Sequence, residues 1–79
     1  MISLKDILTD LAKAIVDNPD QVSVTEEKDE DGNVLLTLTV APDDMGMVIG
    51  RHGKIAKAIR TVMKAAANTI KAKVTVEIK

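Results

Sequence analysis

The stretch Val48-Ile49-Gly50-Arg51-His52-Gly53-Lys54-Ile55 opens a helical run from Ala56 to about Lys71, and this junction decides how the rest of the chain reads. Two glycines bracket Arg51 and His52, and a helix-period pattern begins at once. Glycine lets a backbone approach another surface with no Cβ between them. A helix start presents unpaired N–H groups and the positive end of the helix dipole, which together suit an anion such as phosphate. The segments on either side then read as scaffold for this loop.

Upstream of the loop, Pro42 ends a strand, and Asp43 or Asp44 is placed to cap a short helix carrying Met45, Val48 and Ile49. The strand, Val34 to Ala41, sets Val34, Leu36, Leu38 and Val40 on one face and Leu35, Thr37 and Thr39 on the other. Its apolar content predicts a central position in a sheet. Further upstream, Asp31-Gly32 supplies a hairpin turn inside the polar tip from Lys28 to Asn33. Val22 and Val24 alternate with Gln21, Ser23 and Thr25, predicting the partner strand. At the start, Ser3 and Asp6 resemble a capping box, and Leu4, Ile7, Leu8, Leu11, Ala12, Ile15 and Val16 recur at helical spacing. That helix runs from about 4 to 17, where Asn18-Pro19 stops it.

Downstream, a helical wheel gathers Ile55, Ile59, Val62, Met63, Ala66 and Ile70 on one side, the expected core stripe. Lys57, Arg60, Lys64 and Lys71 fall on the opposite side. Ala58 and Ala65 flank the stripe on one edge, Ala56 and Ala67 on the other, so the apolar arc is wider than packing on one sheet needs. Val74, Val76 and Ile78 alternate with Thr75 and Glu77, giving a last strand. The order is α-β-β-α-α-β. A helical crossover makes the second and third strands parallel if they are neighbours, with a right-handed connection. The expected fold is α+β, a three-stranded mixed sheet covered by helices on one face.

The chain has 79 residues, enough for one domain and one core. A domain this small buries only about 60% of its unfolded surface, so association with a partner would help it. Hydrophobic residues make up 46% and aromatic residues are absent, so the core must be aliphatic. Without cysteine, disulfide frameworks and thiolate metal sites are excluded. No apolar run approaches the ~20 residues of a membrane helix, and the N-terminus lacks a signal-peptide pattern, so a cytoplasmic protein with no membrane partner is expected.

The net charge of −1 conceals a division. Residues 1–44 hold three lysines against eleven Asp and Glu, whereas residues 45–79 hold eight Lys and Arg against the single Glu77. A basic half of this kind is an electrostatic footprint for a polyanion; the plainer alternative is an intramolecular dipole.

Nucleotide chemistry finds no support. The loop G-x-x-x-x-G-K-[ST] would need glycine at Val48 and a hydroxyl at Ile55, and G-x-G-x-x-G would also need glycine at Val48. His52 is the only histidine and has no sequence partner for acid–base work, and no ligand set for a metal is present. Neither an enzyme nor a cofactor is expected.

The run V-I-G-R-H-G-K-I-A-K-A-I-R, residues 48–60, lies between two helices after an apolar strand and resembles the RNA-binding KH domain. The extra helix and strand on its N-terminal side resemble the type II, bacterial variant. The runs 14–20, 41–46 and 56–61 are similar to the KhpA family of small stand-alone bacterial KH proteins. The resemblance covers residues 1–79 as one type II KH domain. It implies a single-stranded RNA-binding protein whose G-x-x-G loop clamps the backbone of four nucleotides. It implies further an RNA chaperone or post-transcriptional regulator in the cytoplasm, linked to cell-wall synthesis and cell shape. The implied partners are a second copy of the chain and a larger KH-containing protein of the Jag/KhpB type.

Carried onto these residues, Gly50 and Gly53 admit the sugar-phosphate backbone, and Arg51, His52, Lys54 and Lys57 face it. N–H groups at the start of the long helix donate to a phosphate oxygen. Ile49 and one face of the central strand are expected to form an apolar groove for unstacked bases. Ala58, Val62 and Ala65 are the expected dimer interface, with Val62 at its apolar centre. The alternative reading is a KH-fold interaction module in which RNA contact is secondary; an intact Gly-Arg-His-Gly loop argues against a pure scaffold.

Overall fold

A computed structural model describes residues 3–79. Alternation of apolar and polar residues builds its sheet: β1 (Ser23–Lys28), β2 (Asn33–Thr39) and β3 (Lys73–Ile78) lie side by side in that order. β2 is central, as its composition predicts. β1 pairs with it antiparallel through Val24↔Leu38, and β3 pairs with it parallel through Leu36↔Val76, so the sheet is mixed. Three helices, α1 (Leu4–Ile15), α2 (Met45–Ile49) and α3 (Lys54–Thr69), complete the expected order α-β-β-α-α-β. The inward face of β2, Val34, Leu36 and Leu38, is buried, together with Val24 of β1 and Val76 of β3.

Against that face pack Leu4, Leu8 and Ala12 from α1, Val48 from α2, and Ile59, Met63 and Ala67 from α3. Every one of these side chains is aliphatic or Met, and each large one contributes about 1.5–3 kcal/mol by leaving water. α3 departs from the expected wheel. Ala56, Ile59, Met63 and Ala67 are buried, whereas Ile55, Val62 and Ile70 are 39%, 46% and 52% exposed. The buried stripe is thus rotated by about 55° toward the small side chains. Alanines let α3 settle close to β3, and a stripe drawn by hydropathy gives the isoleucines a weight that packing does not.

Helix ends differ from their expected form in two places. Ser3 Oγ accepts the Asp6 N–H at 3.4 Å, the forward half of a capping box, and α1 ends at Ile15 because Val16 is extended. Neither Asp43 nor Asp44 caps α2 with its side chain. Asp44 is instead buried, and one of its carboxylate oxygens accepts the Asn18 N–H at 3.0 Å and the Asn18 Nδ2 at 3.1 Å. The tie fastens the turn after α1 to the entrance of α2. α3 closes with Lys71 at φ 56° and the Ala72 N–H bonded to the Ala67 carbonyl at 2.9 Å, the geometry of a Schellman motif.

The hairpin tip is organised from one side chain. Asp29 accepts the N–H groups of Asp31 and Asn33, each at 2.9 Å, and the Asn33 amide, also at 2.9 Å. Those bonds, the Asn33 side-chain amide foremost, hold the Asp29 carboxyl below its ordinary range.

Asp44→Ala is expected to lower stability by roughly 1.5–3 kcal/mol, the worth of hydrogen bonds to a charged group. Asp44→Asn, which keeps an acceptor for both donors, should lose less. Urea unfolding followed by far-UV circular dichroism measures both, since the chain has no Trp or Tyr. Equal losses in the two variants would show that the Asn18 tie is not what Asp44 supplies.

Candidate nucleic-acid interface

Four residues reverse the chain between α2 and α3, and three of them lie at positive φ. Gly50 ends α2 at φ 73°, ψ 176°, with its N–H bonded to the Gly46 carbonyl at 2.8 Å. This is a region that essentially only glycine visits. His52 follows at φ 57°, ψ 26° and Gly53 at φ 72°, ψ 15°, both left-handed. The Gly53 N–H closes the turn on the Gly50 carbonyl at 3.2 Å. Among the described residues, the N–H groups of Arg51 and His52 have no backbone partner. They stand beside the positive end of the sixteen-residue α3, where an anion is stabilised by about 0.3–1 kcal/mol.

The two glycines do different work. A Cβ on Gly50 would overlap the Ile55 Cγ1 and lie 2.8 Å from the Ile55 Cβ, so Gly50 is bare because Ile55 fills the space. Nothing lies within 4 Å of a Cβ placed on Gly53. Only Gly53 therefore leaves open room for an approaching backbone, whereas the sequence reading gave that task to both.

Arg51, His52, Lys54 and Lys57 are all exposed. The one ion pair among the described residues joins Lys79 and Glu77 at 3.6 Å, so Arg51, Lys54 and Lys57 are uncompensated cations. Ile49, at the end of α2, is 40% exposed, and Met47 beside it 41%. The expected groove on the central strand is not present. The apolar face of β2 is buried under the helices, and its other face, with Leu35, Thr37 and Thr39, lies on the far side of the sheet. Ala58, Val62 and Ala65 share one exposed flank of α3 with Ile55, clear of the core.

Sequence reasoning missed Arg60. It was placed on the solvent side of α3, yet its Nε donates to the main-chain carbonyl of Val76 in β3 at 3.3 Å. The wheel carries no signal for that bond, because it arises where α3 crosses the sheet edge. Among the described residues, no cluster of three or more His, Cys, Asp or Glu could hold a metal, and no helix is long and apolar enough to cross a membrane.

Residues 5–78 match the profile of the KhpA/KhpB KH domain family. The chain is 53% identical over 75 residues to the RNA-binding protein KhpA of Clostridium acetobutylicum, covering 95% of this chain and 99% of that one. It is 45% identical over 78 residues to the RNA-binding protein KhpA of Aquifex aeolicus, covering 99% and 98%. Among solved structures, Era in complex with MgGDPNP and nucleotides of 16S ribosomal RNA is similar at a TM-score of 0.61 and 15% identity. That match covers 95% of this chain and 28% of the Era chain, and it speaks to fold alone.

Replacing the glycines should separate their roles. Gly53→Ala is expected to cost about 1–2 kcal/mol, the penalty of a left-handed residue. Gly50→Ala should cost more, adding the collision with Ile55 to a conformational penalty of roughly 1–3 kcal/mol. Thermal unfolding by circular dichroism checks the order. A Gly50→Ala variant as stable as Gly53→Ala would mean that Ile55 does not fill that space.

Proposed function

The chain belongs to the KhpA/KhpB KH-domain family, and on that premise we propose that it binds single-stranded RNA, holding the sugar-phosphate backbone against the Gly50–Gly53 loop. One observation carries the reading: the loop offers two free N–H groups, open space over Gly53 and uncompensated cations at a single exposed point. Arg51, Lys54 and Lys57 supply charge to successive phosphates, and His52 stands among them at the loop tip. Ile49 gives an apolar contact for a base next to the clamp. The protein acts by binding and not by catalysis. With no aromatic side chain to stack bases, which is worth about 1–3 kcal/mol per base elsewhere, one such site binds weakly.

Weak binding favours paired sites, because two linked clamps raise avidity by roughly 10²–10⁴. The working form is therefore a homodimer, or a complex with a larger KH-containing protein of the Jag/KhpB type. The exposed flank of Ile55, Ala58, Val62 and Ala65 is the surface that supports it, being apolar and free of charge. The same flank is what favours the second reading, an interaction module in which RNA is secondary. The family resemblance extends the proposal to an RNA chaperone and post-transcriptional regulator in the cytoplasm, acting on cell-wall synthesis and cell shape.

Arg51→Asp combined with His52→Asp should abolish RNA binding and leave the fold intact, since both side chains are exposed. Fluorescence anisotropy with labelled single-stranded RNA tests this; unchanged affinity in a folded variant would remove the loop from the site. For the wild type, the log–log salt slope should be on the order of −2 to −3, about −0.7 for each phosphate held.

Val62→Asp should turn a dimer into a monomer with full helicity, because Val62 is 46% exposed and outside the core. Sedimentation at micromolar concentration gives the answer. A monomeric wild type would refute self-association, and a dimeric Val62→Asp variant would place the interface elsewhere.

A further inference from the structure

The outer flank of α3 carries a second regularity. Ile55, Ala58, Val62, Ala65 and Thr69 recur at spacings of three, four, three and four, the a and d positions of a heptad. All five are exposed, and none is charged. The core-facing stripe of Ala56, Ile59, Met63 and Ala67 lies about 125° away around the helix. α3 therefore has two packing faces, one filled by its own domain and one shaped as the narrow seam by which two helices pair. Large and small residues alternate along that seam, in the order Ile55, Ala58, Val62, Ala65. Such a row fits a partner that sets small residues opposite its large ones. The same row in reverse order is that partner.

We propose that two copies of this chain pair through α3 in antiparallel, with the two-fold axis level with residue 60, so that the two RNA clamps stand at opposite ends of the seam. The inference rests on the self-association proposed above and adds its direction. In this register Ile55 meets Ala65 of the second copy and Ala58 meets Val62, and the symmetry repeats both layers. Every layer then joins one large side chain to one small one, and the helices keep one separation along the whole seam. A parallel pair would stack Ile on Ile, Ala on Ala, Val on Val and Ala on Ala. Its large layers would hold the helices apart and leave gaps at both alanine layers, where contacts are forfeited. Charge points the same way. A parallel pair sets two loops side by side, each with Arg51 and Lys54 unpaired and each at a positive helix end. Antiparallel pairing puts those cations beside the last turn of the other α3, which is uncharged and forms the negative end of its dipole. The clamps are then about 25 Å apart along the seam. A segment that fills one clamp cannot fill the other, and avidity belongs to RNAs with two such segments.

The chain has no cysteine, so introduced thiols report without background. Full-length Ile55→Cys and Ala65→Cys, one carrying a mass tag and both checked for wild-type melting, are mixed and oxidised with glutathione disulfide. In the proposed register the thiol of one variant faces that of the other. Equivalent thiols lie about 15 Å apart along the seam, beyond the Cα separation of about 7 Å that a disulfide spans. The mixed disulfide should be the main product, and each variant alone should stay uncrosslinked. Ile55 also packs over Gly50, so a second measurement avoids it. Thr69→Cys carrying a nitroxide should show, by pulsed electron resonance, a label separation of roughly 27 Å or more. Crosslinking of Ala65→Cys to itself, or Thr69 labels closer than about 15 Å, would make the pair parallel and overturn the inference. A dimeric wild type with no mixed disulfide from well-folded variants overturns it too, by moving the interface off this seam. In all of these results self-association stands. A wild type that sediments as a monomer refutes self-association and the inference together.

Discussion

The side chain of Ile55 occupies the space that a Cβ on Gly50 would need, and the course of α3 follows from that contact. The chain must turn between α2 and α3 within four residues, and it does so only with Gly50, His52 and Gly53 at positive φ. A left-handed histidine costs about 1–2 kcal/mol. That cost is outweighed several-fold by what the turn permits. It aims α3 so that Ala56, Ile59, Met63 and Ala67 enter the core, where each large side chain returns about 1.5–3 kcal/mol. The same turn leaves the Arg51 and His52 N–H groups without a backbone partner among the described residues. The geometry that binds an anion and the geometry that seats the helix are therefore one constraint.

Much of this was legible in the residue pattern. A period of two over Val34–Val40 identified the central strand, Asp31-Gly32 the hairpin, and the Gly-Arg-His-Gly loop the candidate site with its family. What was not legible depended on how elements meet. Hydropathy ranks Ile55, Val62 and Ile70 above Ala56 and Ala67, yet close approach to β3 favours the alanines, and the isoleucines and valine stay at the surface. Asp44 reads as a cap from its place before a helix, but its partner, Asn18, is 26 residues away. Gly50 and Gly53 look alike in a motif and differ only once the position of Ile55 is known. Arg60 finds its acceptor on a strand 16 residues on, which no wheel can display.

The division of charge along the sequence is only partly kept in the fold, because Lys71 and Lys73 stand beside Asp31 and Asn33 at the hairpin. The acidic hairpin, Glu26 to Asp31, is held by hydrogen bonds around Asp29 and not by ion pairs. Among the described residues, the Lys and Arg side chains of the loop and of α3 likewise form no ion pair. Within the Debye length of about 8 Å at physiological ionic strength, the exposed cations at the loop and the start of α3 draw a polyanion toward that point. Little of this field is spent on stability, since exposed pairs contribute only about 0–1 kcal/mol.

The bond from Arg60 to the Val76 carbonyl has a consequence for association in the crowded cell. A sheet of three strands has two open margins, and each is a template on which another chain can add a strand. On β3 the guanidinium occupies an acceptor that an added strand would need, and it sets a bulky cation in the path of that strand. On β1 the exposed Glu26, Glu27 and Lys28 place charges along the margin. The Val- and Leu-rich sheet is thus guarded at both margins against growing into larger sheets, and in an aromatic-free chain this small arginine anchor serves as a gatekeeper against aggregation.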